Sequence, residues 1–308
     1  MAVPSLSLAT RQRLLFAVLC FVWGTTFLAL KIGVTAVPPA FYSGVRWTAA
    51  GVLLLAWRRV RGQRVLVRPR LLLRVVPLAL VLVGVCSAVQ LYGLREVSSG
   101  LGAVISSALT PITMLIVAVA LGQERLEGRH LLGLGIGIGG ILVLFGPAAI
   151  SGDMGKAALL GAALVAFGTV LYCVGAVGSR RLLRIVPPAQ LAGLTNLFGG
   201  LALLVFSLPL EPGAWQAANL AWGWEVWLGW LWLVFAGSLG ASIIYFLLMR
   251  DWGASRTGSY AFISPVISVL AGMAVLHEHV SLTEAVGMLL MLAGAGLSLG
   301  RSPPRRGA

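Results

Sequence analysis

Residues Thr110–Glu124 read "TPITMLIVAVALGQE", and residues Ser264–Glu278 read "SPVISVLAGMAVLHE". The two stretches align without a gap at an offset of 154 residues. Pro111 pairs with Pro265, Glu124 with Glu278, Gly133 with Gly287, and Gly140 with Gly294. A looser match joins "PPAFYSGVRWTAAG" (Pro38–Gly51) to "PPAQLAGLTNLFGG" (Pro187–Gly200). There Gly44 stands opposite Gly193 and Gly51 opposite Gly200. The chain therefore reads as two halves of one design, residues 1–150 and 151–308.

Composition says where the halves sit. Of 308 residues, 59% are hydrophobic and only 10% are charged. Soluble domains carry about 25% charged residues. Apolar runs of about 20 residues, long enough to span a bilayer as helix, recur along the chain. Their bounds are roughly 13–35, 39–57, 72–94, 98–121, 129–147, 156–178, 187–209, 226–249, 256–276 and 282–300. No run shows the ten-residue alternation of a membrane barrel. The fold expected is an all-α polytopic membrane protein with ten transmembrane helices. Each half holds five spans, an odd number, so the second half must cross in the opposite sense. Inverted repeats of this kind build many secondary transporters, with the substrate site near the midplane.

The net charge of +14 is first a topology signal. Nineteen of the 23 Lys and Arg residues fall in connections on one side, among them Arg58, Arg59, Arg61, Arg64, Arg68, Arg70 and Arg74. Only Lys31, Arg95 and Lys156 fall on the other, and Arg46 lies within a span. Both termini are expected in the cytoplasm, with the basic side touching anionic lipid. No nucleic-acid partner is expected. The Trp-rich segment from Glu211 to Trp232 then lies outside, where indole rings settle at the interface. The first run starts near Arg13 without a small-residue cleavage site and reads as a retained span. Cys20, Cys86 and Cys173 have no metal spacing and read as packing residues.

"GLGIGIGG" (Gly133–Gly140) contains G-x-G-x-x-G at Gly135, Gly137 and Gly140. A dinucleotide site needs a strand before that motif and a helix after it. Charged, turn-like "GQERLEGRH" precedes it, so no nucleotide cofactor is expected. Gly133, Gly137 and Gly140 instead share one helical face, and Gly287 and Gly294 repeat that face in the last span. Small residues let membrane helices approach closely. These helices should pack on each other or on a second protomer in a homodimer.

"VWGTTFLALKIGV" (Val22–Val34), "PPAFYSGVRW" and the two proline-to-glutamate stretches resemble the EamA family of the drug/metabolite transporter superfamily. The resemblance runs along nearly the whole chain. It implies a ten-helix inverted-repeat carrier of the bacterial inner membrane, exporting amino acids or related small metabolites by alternating access. It also implies that the first four helices of each half surround a central cavity, with the fifth and tenth to one side.

Membrane-embedded charge is costly and usually functional. Arg46 is such a charge. It could hold a substrate carboxylate, or be satisfied by carbonyls and snorkel outward. Polar and aromatic residues within spans complete the candidate substrate site: Trp23, Gln90, Tyr92, Ser106, Tyr172, Asn196, Tyr245 and Tyr260. Asn196 neighbours Thr195, the repeat partner of Arg46. The acids lie at span ends or in loops, and Glu124 and Glu278 read as first-turn helix residues favoured by the dipole. His277 and His279 fall at an outer span end and read as solvated. Pro111 and Pro265 should bend their helices and suit a rocking gate or a static kink. Two other functions compete: a membrane enzyme acting on lipid or isoprenoid substrates, and a channel or scaffold subunit.

Overall fold

A computed structural model of the chain describes residues 7–97, 99–150, 155–276 and 282–299. Asp153, His277, Glu278, His279 and the basic tail Arg301, Arg305 and Arg306 lie outside them. Among the described residues every regular element is helical. Backbone in lipid must satisfy its own hydrogen bonds, and helix does so within one segment. The elements are α1 (Leu8–Ala36), α2 (Pro39–Val60), α3 (Pro69–Ala79), α4 (Cys86–Glu96), α5 (Ser99–Ala120), α6 (Gly128–Ile150) and α7 (Lys156–Leu182). Then come α8 (Pro188–Leu210), α9 (Ala214–Ala217), α10 (Trp224–Trp232), α11 (Ala241–Trp252), α12 (Ala254–Gly258), α13 (Tyr260–Leu276) and α14 (Leu282–Leu299).

Starts are written locally. Pro39, Pro69 and Pro188 open their helices at the first turn, where a missing N–H costs nothing. Ser7 caps α1 by accepting from Thr10 N at 3.2 Å. Among the described residues, four helical stretches are long and apolar enough to cross a membrane: Pro69–Glu96, Lys156–Leu182, Pro188–Leu210 and Trp224–Trp252. Shorter apolar helices cover Ile105–Ala120, Gly128–Val143 and Ala285–Leu299. Large apolar side chains face outward along them, such as Leu159 and Val205. Exposed apolar surface on that scale suits lipid rather than water.

Two of the long stretches are not plain α-helix. A π-helical segment, Leu80–Val85, joins α3 to α4, and another, Leu233–Gly240, joins α10 to α11. Their sequences, "LVLVGV" and "LVFAGS", align at an offset of 153 residues. Such segments cluster at functional sites.

The glycine faces pack helix on helix. A Cβ on Gly140 would lie 2.6 Å from Met291 N and 2.7 Å from Gly287 O. One on Gly294 would lie 2.6 Å from Gly133 O and 2.7 Å from Gly137 N. So α6 packs on α14 within one chain. Gly137 itself faces the Phe262 ring of α13. α2 and α8 meet in the same manner. A Cβ on Gly44 would meet Leu204, and one on Gly193 would meet Leu55. A Cβ on Gly51 would meet Leu197, and one on Gly200 would meet Thr48. Contacts that advance along α2 retreat along α8, so the pair is antiparallel. Each contact becomes its partner when repeat-equivalent residues are exchanged.

One expectation needs correction. Glu124 is not a first-turn residue of the helix that follows it. It lies in the turn after α5 and accepts from Ala254 N at 2.6 Å, at the start of α12. The tryptophans of the Glu211–Trp232 segment differ in their surroundings. Trp215 and Trp224 are exposed, but Trp222 stacks 5.7 Å from Tyr42 and 4.9 Å from Trp227. It covers the start of α2.

Candidate functional site

α1, α2, α4, α5, α7, α8, α11 and α13, with the two π-segments, surround one cavity of about 210 Å³. Eight of the nine candidate residues line it: Trp23, Arg46, Gln90, Ser106, Tyr172, Asn196, Tyr245 and Tyr260. Tyr92 does not. Its hydroxyl donates to Glu211 Oε1 at 2.9 Å, beyond the cavity. Sequence reasoning missed Ser43, Trp47, Thr110 and Thr169, which also line the cavity. Trp47 had a visible signal, since it adjoins Arg46 in the only span with an internal charge. Hydroxyl residues in spans are too common to be told apart without a structure.

The lining has three zones. Arg46 is the sole charged side chain among the described lining residues. It is 7% exposed and its guanidinium stacks 4.0 Å from the Trp47 ring. Arg46 Nε, Trp47 Nε1 and Ser43 Oγ have no hydrogen-bond partner among the described residues. Buried donors without acceptors are costly unless something else supplies them.

The second zone is aromatic. Trp23 lies at the centre, 4.5 Å from Tyr260, 5.0 Å from Tyr245 and 6.4 Å from Tyr172 between ring centroids. The four rings come from α1, α7, α11 and α13. Their faces offer negative potential as well as apolar surface.

The third zone is a hydroxyl and amide network. Gln90 Nε2 donates toward Thr169 Oγ1 at 3.2 Å and Ser106 Oγ at 3.3 Å. Asn196 Nδ2 donates to Ser238 O, in the second π-segment, at 3.1 Å. Pro111 and Pro265 stand inside α5 and α13. A proline cannot donate to the carbonyl four residues earlier. Those residues, Ser107 and Ala261, both line the cavity. They are also repeat partners, as are Thr110 and Ser264, which precede the prolines and line it too.

Such a lining can hold a small molecule that carries an anionic group and an apolar or cationic part. Known proteins place the chain. The model of the EamA-like transporter family matches residues 12–146 and again 159–300. A protein of Escherichia coli (strain K12) named as an uncharacterized inner membrane transporter, YedA, is 30% identical over 284 residues. That match spans 90% of this chain and 87% of YedA. The transporter YoaV of Bacillus subtilis is 24% identical, over 89% of this chain and 91% of its own. A WAT1-related chloroplastic protein of Arabidopsis thaliana is 26% identical, over 88% and 65%. A solved crystal structure superposes with a TM-score of 0.74 at 23% identity, over 94% of this chain and 96% of that one, a likeness of fold. With its family model matched along both halves, this all-helical membrane protein belongs to the EamA-like transporter family.

Proposed function

We propose that the chain is an inner-membrane secondary transporter exporting amino acids or related small carboxylates by alternating access. One observation carries the reading. A single guanidinium, without a carboxylate partner among the described residues, lines a cavity otherwise built from aromatic, hydroxyl and amide groups. A buried charge needs a counter-charge, and a translocated carboxylate supplies one. The rings and the residues before the prolines offer the complementary surface for an amine or side chain. A membrane enzyme would instead need paired carboxylates or a histidine cluster at the interface.

The cavity, at about 210 Å³, lies below the usual range of about 300–1,000 Å³ for ligand pockets and agrees with a small molecule of about ten heavy atoms or fewer. Two inverted five-helix repeats account for the reciprocal contacts of α2 with α8 and of α6 with α14. They also account for the paired π-segments. A local two-fold axis in the membrane plane would produce all of these, and a site between the halves.

Proteoliposome counterflow tests the function. Labelled substrate should accumulate only when unlabelled substrate waits on the opposite side. A panel of amino acids and their decarboxylated analogues should show transport of the carboxylates alone. Flux of every solute down its gradient, without counterflow, would make the protein a channel.

The basic loops favour cytoplasmic termini. Single cysteines at Arg61 and Ala218, in a background lacking Cys20, Cys86 and Cys173, should label from opposite faces of the membrane. Arg61 should label from the cytoplasmic face. Labelling of both from one face would reject the ten-span orientation.

A further inference from the structure

Among the described residues, two carboxylates outside the cavity make more cross-helix hydrogen bonds than any residue lining it. Glu211 is 6% exposed, in the connection just after α8. Its Oε1 accepts from Ala40 N at 3.0 Å and Tyr92 OH at 2.9 Å. Its Oε2 accepts from Phe41 N at 2.9 Å and from the Ser207 hydroxyl. α2 has no side-chain cap of its own, since Pro38 stands at its cap position. Glu211 supplies that cap from the far half of the chain. A helix start offers unpaired N–H groups and partial positive charge, which suits a carboxylate.

Glu124 does the equivalent at the other end. It accepts from Ala254 N at 2.6 Å, from Ser255 N at 3.3 Å and from the Ser255 hydroxyl. Arg180 Nη1 of α7 lies 3.8 Å away. Gly253, at φ +88°, leaves room there, since a Cβ would lie 2.5 Å from Glu124 Oε1. This end also carries the N-terminal turns, where Gln12 of α1 donates to Asp251 at 3.0 Å.

The two clusters tie different sets of cavity-lining helices. Glu211 ties α8, α2 and α4, which carry Asn196, Arg46 and Gln90. Glu124 ties the end of α5, the start of α12 leading into α13, and α7, which carry Ser106, Tyr260 and Tyr172. We propose that Glu211 and Glu124 are positioning residues that latch the two gates of the carrier, each closing the cavity at one end. This rests on the transporter reading above. The physical case is reversibility. An apolar plug can open only by exposing apolar surface to water. A carboxylate held by N–H and O–H donors can exchange each bond for one to water when it is released. Such a contact can hold a closed end and still release it in every cycle.

Cys86 provides a native reporter, because it lines the cavity. In a Cys20→Ala, Cys173→Ala background, its modification by a membrane-impermeant methanethiosulfonate reagent can be timed from either face. Right-side-out and inside-out vesicles give the two faces. Glu211→Gln should raise the rate roughly ten-fold or more from the Glu211 face and leave the other unchanged, the factor expected on losing a charge-assisted bond. Glu124→Gln should do the reverse. Tyr92→Phe and Ser255→Ala remove one bond each and should give smaller increases with the same sidedness. Unchanged rates from both faces in all four variants would overturn the proposal. So would acceleration from both faces at once with a lowered Tm, which marks plain structural glue. Failure of counterflow with the sided labelling intact would leave the latches standing and remove the transporter reading instead.

Discussion

Arg46→Ala should abolish transport of carboxylate substrates while leaving the protein at least as stable as before. The two halves of that result come from one fact: the guanidinium is buried without a carboxylate partner among the described residues. Holding a desolvated cation in the bundle costs several kcal/mol. Its stacking on Trp47 returns about 0.5–2 kcal/mol. Removing it therefore relieves the empty protein, and Arg46→Met, which keeps most of the volume, should hold or raise the Tm. Substrate binding loses a charge-assisted contact of roughly 1.5–3 kcal/mol, about ten- to a hundred-fold in affinity. Arg46→Lys keeps the charge but not the planar fork that fits a carboxylate. It should retain folding and lose much of the transport. Counterflow and melting of the three variants decide the matter. A structural Arg46 would show the opposite signature: lowered Tm and all substrates weakened alike. Normal transport by a folded Arg46→Ala protein would end the carboxylate assignment.

Arg46 was legible in the sequence because a charge inside an apolar span stands out. Most of the cavity was legible for a similar reason, since polar and aromatic groups within spans tend to face the bundle interior. Tyr92 shows the limit of that rule. It lies two residues from Gln90 on α4, and residues at that spacing point to different sides of a helix. Gln90 faces the cavity while Tyr92 faces Glu211. The latches were less legible still. Glu124 and Glu211 look like ordinary loop acids, because the backbone N–H groups they cap lie 130 and more residues away. No local spacing reports a contact of that range. The π-segments were hidden differently. "LVLVGV" and "LVFAGS" match each other, but nothing in either distinguishes π from α geometry. Only the internal repeat hints that those positions matter.

The glycines of "GLGIGIGG" give the sharpest test of the fold itself, because neighbours in sequence should respond with opposite sign. At Gly140 an added Cβ meets backbone atoms, Met291 N at 2.6 Å and Gly287 O at 2.7 Å. Backbone cannot rotate away, so α6 and α14 would have to separate. Gly140→Leu should lower the Tm strongly or prevent recovery of folded protein, since overpacking a tight interface costs about 1–3 kcal/mol or more. Gly140→Ala should do so by less. Gly137→Leu should fall between those two, because its obstacle is the Phe262 ring, a side chain but one buried in the core. At Gly135 and Gly139 an added Cβ would have nothing within 4 Å. There Gly135→Ala and Gly139→Ala should be neutral or raise stability by up to about 1 kcal/mol, because alanine has less chain entropy to lose. A nucleotide-binding loop would follow another pattern. Gly135, Gly137 and Gly140 would then respond together, and NAD or ATP would raise the Tm of the wild type but not of the variants. A helix packed along one face instead separates Gly139 from Gly140, adjacent residues on different sides of the same turn.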